Sequence, residues 1–344
     1  MRRITVSPVS VLTFSFLFSG NILFGLYYSS ENPVVCYIFA SLFLVIFTFI
    51  VAKWFCNRKN ISQRPYAVFV SVTAGMFALF PAAYTLFVYA KSLGTFADYY
   101  SSAFVTVFAV LVVIISGICA AKKGEMAVYG YARMTVLLML VWILAGLFGF
   151  VHTKNIVVTK SPFTNILMAD WSEIIKNILL ISLDMVFLLV IFTDNQEGDE
   201  KNKIPVRMLY GVLSYVFVSG INMFKNLFMF GTDFLTQLDN PDLAAIRLIP
   251  MFELPEISVI VNTFAVTLRI AVYFCGMFYI LKDSLGSRYK TKNIEFFSAT
   301  SVAAVTLIFI YVIKNGITVE FIGLIGLVSL AFFVLSFFSE KEKR

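Results

Sequence analysis

Long apolar runs separated by short polar or charged segments fill the chain. Ten stand out, over residues 8–28, 33–54, 66–90, 99–121, 129–150, 174–193, 207–230, 257–281, 296–313 and 319–338. Each is close to the roughly 20 residues that an apolar helix needs to cross a bilayer. Hydrocarbon offers the backbone no water to bond, so such runs read as helices. The expected fold is all-α, a single polytopic membrane domain over residues 1–344. The first run reads as a span rather than a cleaved leader, because it is long, lacks a small-residue cleavage site and precedes nine more.

The runs divide after the fifth. The connection from Val151 to Trp171 is mostly polar, with Lys154, Lys160 and Pro162. Five runs precede it and five follow, so the second half enters the membrane in the opposite sense. That is the arithmetic of an inverted-repeat transporter, with halves over 8–150 and 174–313 and the last span at 319–338. Two connections are unusual. TDNQEGDEKNKIPVR (193–207) reads as a charged, solvated inner loop. The segment 232–258 is long, acidic and punctuated by Pro241, Pro250 and Pro255. Within it, PDLAAIRLI carries Pro and Asp where a short helix would start. The segment is either a surface loop or a lid over an outer vestibule.

Three runs hold polar groups near their middle. SFLFSGNILFGLYY (15–28) contains Ser19, Gly20 and Asn21, with Gly25 a turn further on. Gly weakens a helix and Asn competes for backbone hydrogen bonds, so a local break is expected here. The freed N–H groups and the positive end of the second half would suit an anionic group such as a carboxylate. Close packing of Gly20 and Gly25 against a neighbouring helix is the alternative. ILLISLDMVFLL centres on Ser182 and Asp184, and VNTFAVTLRIAVYF on Arg269. A charge at the bilayer centre costs at least ~2.5–3.5 kcal/mol on insertion scales. Arg269 is too far from either end of its run to snorkel easily, so it needs a partner, and Asp184 is the acidic residue at similar depth. The pair either holds helices together or lines a site or coupling pathway. Pro81 is expected to kink the third run, and nearby Tyr84 either lines a cavity or packs. Ser219, Gly220, Asn222 and Asn226 give the seventh run a polar character, and Lys225 is placed to reach the outer interface.

Composition agrees with a membrane solvent. Hydrophobic residues make up 60 %, Phe contributes 38 residues and charged residues only 14 %, against about 25 % charge in a soluble domain. The net charge of +7 matters through its distribution. With the N-terminus inside, Arg2, Arg3, Lys53, Arg58, Lys59, Arg64, Lys122, Lys123, Arg133, Lys201, Lys203, Arg207, Lys282, Arg288, Lys290, Lys292, Lys341, Lys343 and Arg344 gather on inner segments. Lys91, Lys154, Lys160, Lys176, Lys225, Arg247 and Lys314 lie in or near outer ones. Lys and Arg mark the cytoplasmic side, so both termini should be cytoplasmic. Scattered over six inner segments, the basic residues make no nucleic-acid surface. Cys36, Cys56, Cys119 and Cys275 are far apart and form neither a metal spacing nor a disulfide framework. His152 stands alone in an outer loop. No phosphate loop, zinc-protease or nucleophile-elbow motif is present, so no enzymatic activity, cofactor or metal is expected.

Three stretches, ITVSPVSVLTFSFLFSGNILFG, KKGEMAVYGYARMTVLLML with Arg133, and PDLAAIRLIPMFELPEISVIVNTFAVTLRIAVYFCGMFYILKDSLG, share a further pattern. Together with the ten-span layout and the length, they resemble the B subunit of GerA-type spore germinant receptors. That family is a branch of the amino acid–polyamine–organocation transporter superfamily. The resemblance covers nearly the whole chain. It implies a LeuT-type five-plus-five inverted repeat with a broken first helix and a candidate break in the sixth. Carried over, Ser19, Gly20, Asn21 and Gly25 form the first break, and Ser182 and Asp184 mark the second. With Tyr84 they are the candidate ligand-binding residues. Arg269 would sit where related carriers hold a cation between spans one and eight, which argues against sodium dependence.

The chain departs from the superfamily's pattern in two places. Related carriers often show Gly-x-Gly-Ile in span one, where this chain has Ser19-Gly20-Asn21-Ile22. Span six has Ser where Gly is typical and no Gly or Pro nearby, which weakens the case for its break. The implied function is germinant sensing in the spore inner membrane, with a small nutrient such as an amino acid bound near the midplane. A larger A-type membrane subunit and a C-type lipoprotein would be its partners. An amino-acid transporter, a proton-coupled symporter or exchanger, is the alternative, and a scaffold that binds nothing is a third.

Overall fold

The computed structural model of the chain describes residues 6–24, 32–56, 72, 75, 76, 79–97, 103–153, 171–194, 199–235, 237, 238, 241, 244, 255–285 and 291–314. Among them nine helices follow in order. They are α1 (Val6–Phe24), α2 (Pro33–Cys56), α3 (Phe80–Ala97), α4 (Ala103–Lys122), α5 (Glu125–Thr153), α6 (Trp171–Asp194), α7 (Asp199–Leu235), α8 (Pro255–Leu285) and α9 (Thr291–Lys314). The tenth expected run (319–338), Gly25 and most of the 232–258 connection beyond α7 lie outside the described residues. Stretches within α2, α5, α7 and α8 are long and apolar enough to cross a membrane, and α1 and α6 contain shorter apolar ones. The chain is an all-α polytopic membrane protein.

α8 and α1 form the centre. Every residue from Ala265 to Met277 and from Leu12 to Leu23 is buried. The helices around them turn large apolar side chains outward instead, as lipid requires. Leu137, Val141, Leu144 and Phe148 of α5 are exposed, as are Leu42, Ile46 and Ile50 of α2. The packing repeats with a shift of five helices. α1 packs on α7 as α6 packs on α2, α3 on α9 as α8 on α4, and α1 on α8 as α6 on α3. A five-plus-five repeat produces that exchange.

Close approach sets the α1–α7 contact. Ser10 Oγ donates to the Arg207 carbonyl at 2.8 Å. A Cβ at Gly211 would stand 2.6 Å from the Ser10 carbonyl oxygen, so glycine there lets the two backbones touch. α7 is interrupted near its far end by Gly231, at φ 73° and ψ 166°, a conformation open to glycine and costly for other residues.

Two expectations are corrected here. The charged stretch 193–207 is mostly helical, because α6 runs to Asp194 and α7 begins at Asp199. The third run is interrupted at Pro81 as expected: residues 72, 75 and 76 are helical, Leu79 is in a turn, and Pro81 is the second residue of α3, a first-turn position where its missing N–H costs nothing. Lys225 does not reach the interface. It is buried, and its Nζ donates to Asn222 Oδ1 at 2.7 Å, over the side of α5 where Gly146 leaves room.

Candidate functional site

Arg269, midway along α8, has no solvent exposure. Its guanidinium joins four helices. Nε donates to Thr85 Oγ1 of α3 at 3.0 Å, and Nη1 to the Phe16 carbonyl of α1 at 3.2 Å. Nη2 donates to both carboxylate oxygens of Asp184 on α6, at 2.9 and 2.7 Å, and to the Tyr273 hydroxyl one turn along α8 at 2.5 Å. Tyr273 donates in turn to Asp184 Oδ1 at 2.6 Å. Thr85 donates to the Pro81 carbonyl at 2.7 Å, which leaves its oxygen lone pairs to Arg269. The rings of Phe16 and Tyr273 flank the guanidinium carbon at 4.8 and 5.5 Å. Phe187 meets the Tyr273 ring edge-on.

Burying two charges is costly unless their geometry and remaining hydrogen bonds are good. Here the carboxylate and guanidinium neutralise each other and each finds further partners. The sequence led to Arg269 facing span one, near its backbone carbonyls or near Asp184, and both contacts are present. Thr85 and Tyr273 were not anticipated, and the span-one carbonyl that Arg269 meets, that of Phe16, belongs to a continuous helix rather than to a break. Tyr273 had a signal, since positions i and i+4 share a helix face. A threonine on another helix had none.

The break expected at Ser19-Gly20-Asn21 is not formed. α1 is continuous from Val6 to Phe24. Its polar side chains bond their own helix: Thr13 to Val9, Ser15 to Leu12 and Ser19 to Phe16. Gly in a helix costs about 1 kcal/mol, whereas each backbone group stranded in hydrocarbon costs several. Continuity therefore wins in a helix so fully buried. α6 is likewise continuous from Trp171 to Asp194, with Ser182 Oγ donating to the Ile178 carbonyl at 2.6 Å.

The remaining candidates spread around the clasp. Ser19 shares the Phe16 carbonyl with Arg269. Gly20 and Asn21 are buried just beyond it on α1. Ser182 lies two residues from Asp184, about 200° around α6, and Tyr84 lies one residue from Thr85, about 100° around α3. Neither joins the clasp, and Tyr84 is half-buried. On the other side of Arg269, Leu12, Tyr129, Phe192 and Cys275 line a small apolar cavity between α1, α5, α6 and α8.

No family model matches the chain, and no curated protein matches it in sequence. Its fold does have solved counterparts. One is Mhp1, a nucleobase-cation-symport-1 family transporter, in a closed conformation with bromovinylhydantoin bound. The match covers 94 % of this chain and 75 % of that one, at 10 % identity and a TM-score of 0.59. Mhp1 in an inward-facing conformation matches over 95 % of this chain and 76 % of that one, at 10 % identity and a TM-score of 0.55. At that identity the likeness speaks for architecture alone, and the architecture is that of a polytopic, all-α membrane protein of LeuT type.

Proposed function

We propose that the chain is the nutrient-sensing B-type subunit of a spore germinant receptor, binding a small molecule between α1, α3, α6 and α8. The clasp of Arg269 with Asp184, Tyr273, Thr85 and Phe16 carries this reading. A solute that reaches the middle of the bundle has to part the helices the clasp ties together. Its differential affinity for the parted and closed forms would then shift their populations. A resident guanidinium stands where a sodium ion would otherwise be needed, so binding should not require sodium.

The sequence resemblance supports the rest of the proposal. That comprises one permease-like unit with halves 8–150 and 174–313, the spore inner membrane, cytoplasmic termini, A-type and C-type partners, an amino-acid nutrient and no catalysis. The fold likeness to Mhp1, a symport-family transporter whose structure holds a small ring compound, favours a second reading as a proton-coupled or exchanging amino-acid carrier.

Reconstitution of the purified chain in liposomes tests both. Solute binding should be the same in sodium and in choline, and Arg269→Ala should abolish it while the chain still inserts. Concentrative uptake by the isolated chain would favour the carrier. Binding that vanishes without sodium, or a normally responding Arg269→Ala protein, would overturn the role given to Arg269.

A further inference from the structure

Arg133 stands on the lipid-facing side of α5. It is exposed, as are Met126, Gly130, Met134 and Leu137 on the same face. It lies about 12 Å into a helix that begins at Glu125, at 1.5 Å per residue. A guanidinium on an apolar face is costly at depth and reaches back to the interface. Arg133 does so: its guanidinium carbon lies over the Tyr129 ring, 5.9 Å from the ring centre. That ring is its one partner among the described residues, which leaves a fork of five N–H donors without an oxygen acceptor. Gly130 lies three residues before Arg133, and a Cβ there would meet nothing within 4 Å. That side of the Arg133 side chain is therefore open.

The α4–α5 turn adds charge. Lys122 ends α4, and Lys123 and Gly124 lead into α5. Gly124 has φ 91° and bonds the Ala121 carbonyl through its N–H at 2.9 Å. Both lysines are exposed. Residues 122–133, KKGEMAVYGYAR, set Lys122, Lys123 and Arg133 against Glu125 alone, so the corner is positive. Tyr129, over which the guanidinium rests, is about 9 Å along the axis from Lys123, a span that one headgroup and a lysine stem can bridge.

We propose that this corner binds the headgroup of an anionic phospholipid. Arg133 grips the phosphate, Lys122 and Lys123 supply the flanking charge, and the acyl chains lie along Met126, Met134 and Leu137. A guanidinium matches phosphate oxygens in bidentate geometry. Every phospholipid carries that phosphate, but the positive turn favours one without a compensating amine. A soluble phosphate would meet the same charges. Arg133, however, stands between apolar side chains that face acyl chains, so the lipid phosphate is the one presented to it. The site also bears on the centre of the bundle. Tyr129 walls the small apolar cavity with Leu12 of α1, Phe192 of α6 and Cys275 of α8. A lipid that fixes Arg133 on Tyr129 steadies a wall shared with three of the helices the clasp joins.

The test uses the full chain in nanodiscs of phosphatidylcholine, with and without phosphatidylglycerol. Lipid retained on the protein is read by native mass spectrometry, and thermal unfolding is followed in parallel. The parent should retain phosphatidylglycerol in preference and unfold at a higher temperature in its presence. Arg133→Gln should weaken that retention by about tenfold and lose the thermal shift, while unfolding like the parent in phosphatidylcholine alone. Arg133→Lys should fall between. Lys53→Gln, an exposed position in the last turn of α2, should behave as the parent. An equal loss in Lys53→Gln would mean diffuse attraction to a basic end and overturn the site. A parent that retains both lipids alike, or an Arg133→Gln protein that retains phosphatidylglycerol as the parent does, would overturn it too. If Arg133→Gln unfolds early in phosphatidylcholine alone, the double variant Lys122→Gln with Lys123→Gln decides. Its retention should fall at unchanged stability, and undiminished retention overturns the proposal. Glycerol phosphate added to phosphatidylcholine discs should not shift unfolding. A shift equal to that of phosphatidylglycerol would assign the corner to a soluble anion and overturn the lipid.

Discussion

Neither Arg269 nor Asp184 can be removed alone without leaving the other as a buried charge. Among the described residues, Asp184 would keep only the Tyr273 hydroxyl in Arg269→Ala. Breaking a buried pair from one side costs about 3–5 kcal/mol, whereas replacing both members by packed apolar residues is often neutral. Arg269→Ala should therefore lower the unfolding temperature sharply, and Arg269→Met with Asp184→Leu should recover most of the loss. Solute response should stay absent in both. Arg269→Lys should fall between, since the charge survives and the fork does not. Thermal unfolding in detergent of the singles and the double decides this, and a single variant as stable as the parent would refute it. The pair itself was legible in the sequence, because a charge in the middle of an apolar run has few affordable partners. The α3 partner was not, because a hydroxyl on another helix leaves no mark in composition or period.

At the scale of the helix, small and polar residues turn out to serve packing as often as interruption. Gly211 and Gly130 make the contrast measurable. A Cβ on Gly211 would stand 2.6 Å from the Ser10 carbonyl oxygen and 2.7 Å from Thr13 Cβ, while one on Gly130 would meet nothing within 4 Å. Gly211→Ala should force α7 away from α1 and cost about 1–3 kcal/mol as overpacking. Gly130→Ala should be neutral or stabilise by up to about 1 kcal/mol through helix propensity. Opposite shifts in unfolding temperature are the expected result, and a stabilised Gly211→Ala would show that the two backbones do not touch. The same distinction explains why the α1 break was misjudged. Ser19-Gly20-Asn21 has the propensity of a break, but propensity is a weak prior beside the cost of freeing backbone groups in hydrocarbon.

The whole molecule was the most legible level. Apolar runs and their polar separators place nine of the ten expected spans on described helices, and the exchange of packing partners over five helices agrees with the span count. The sidedness of the bundle is the part that accessibility can settle. Lys53 ends α2, Lys122 ends α4, Lys282 lies in the last turn of α8, and Lys203 lies in the first turns of α7. Successive helices reverse direction, so these residues, with Lys123 in the α4–α5 turn, come to one end of the bundle. Lys53, Lys122, Lys123, Lys203 and Lys282 are exposed there. An excess of Lys and Arg marks the cytoplasmic side, so this end should face inward. The decisive measurement is labelling of single cysteines at Lys123 and Lys203, and at Lys59 and Lys290 outside the described residues, with a membrane-impermeant maleimide. Exposed Cys119 is replaced first to remove its background. All four sites should resist the reagent in intact cells and react in inside-out vesicles. Reaction from the outer side at Lys123 or Lys203 would invert the bundle. Reaction at Lys59 or Lys290 alone would break the alternation of spans between α2 and α3 or between α8 and α9.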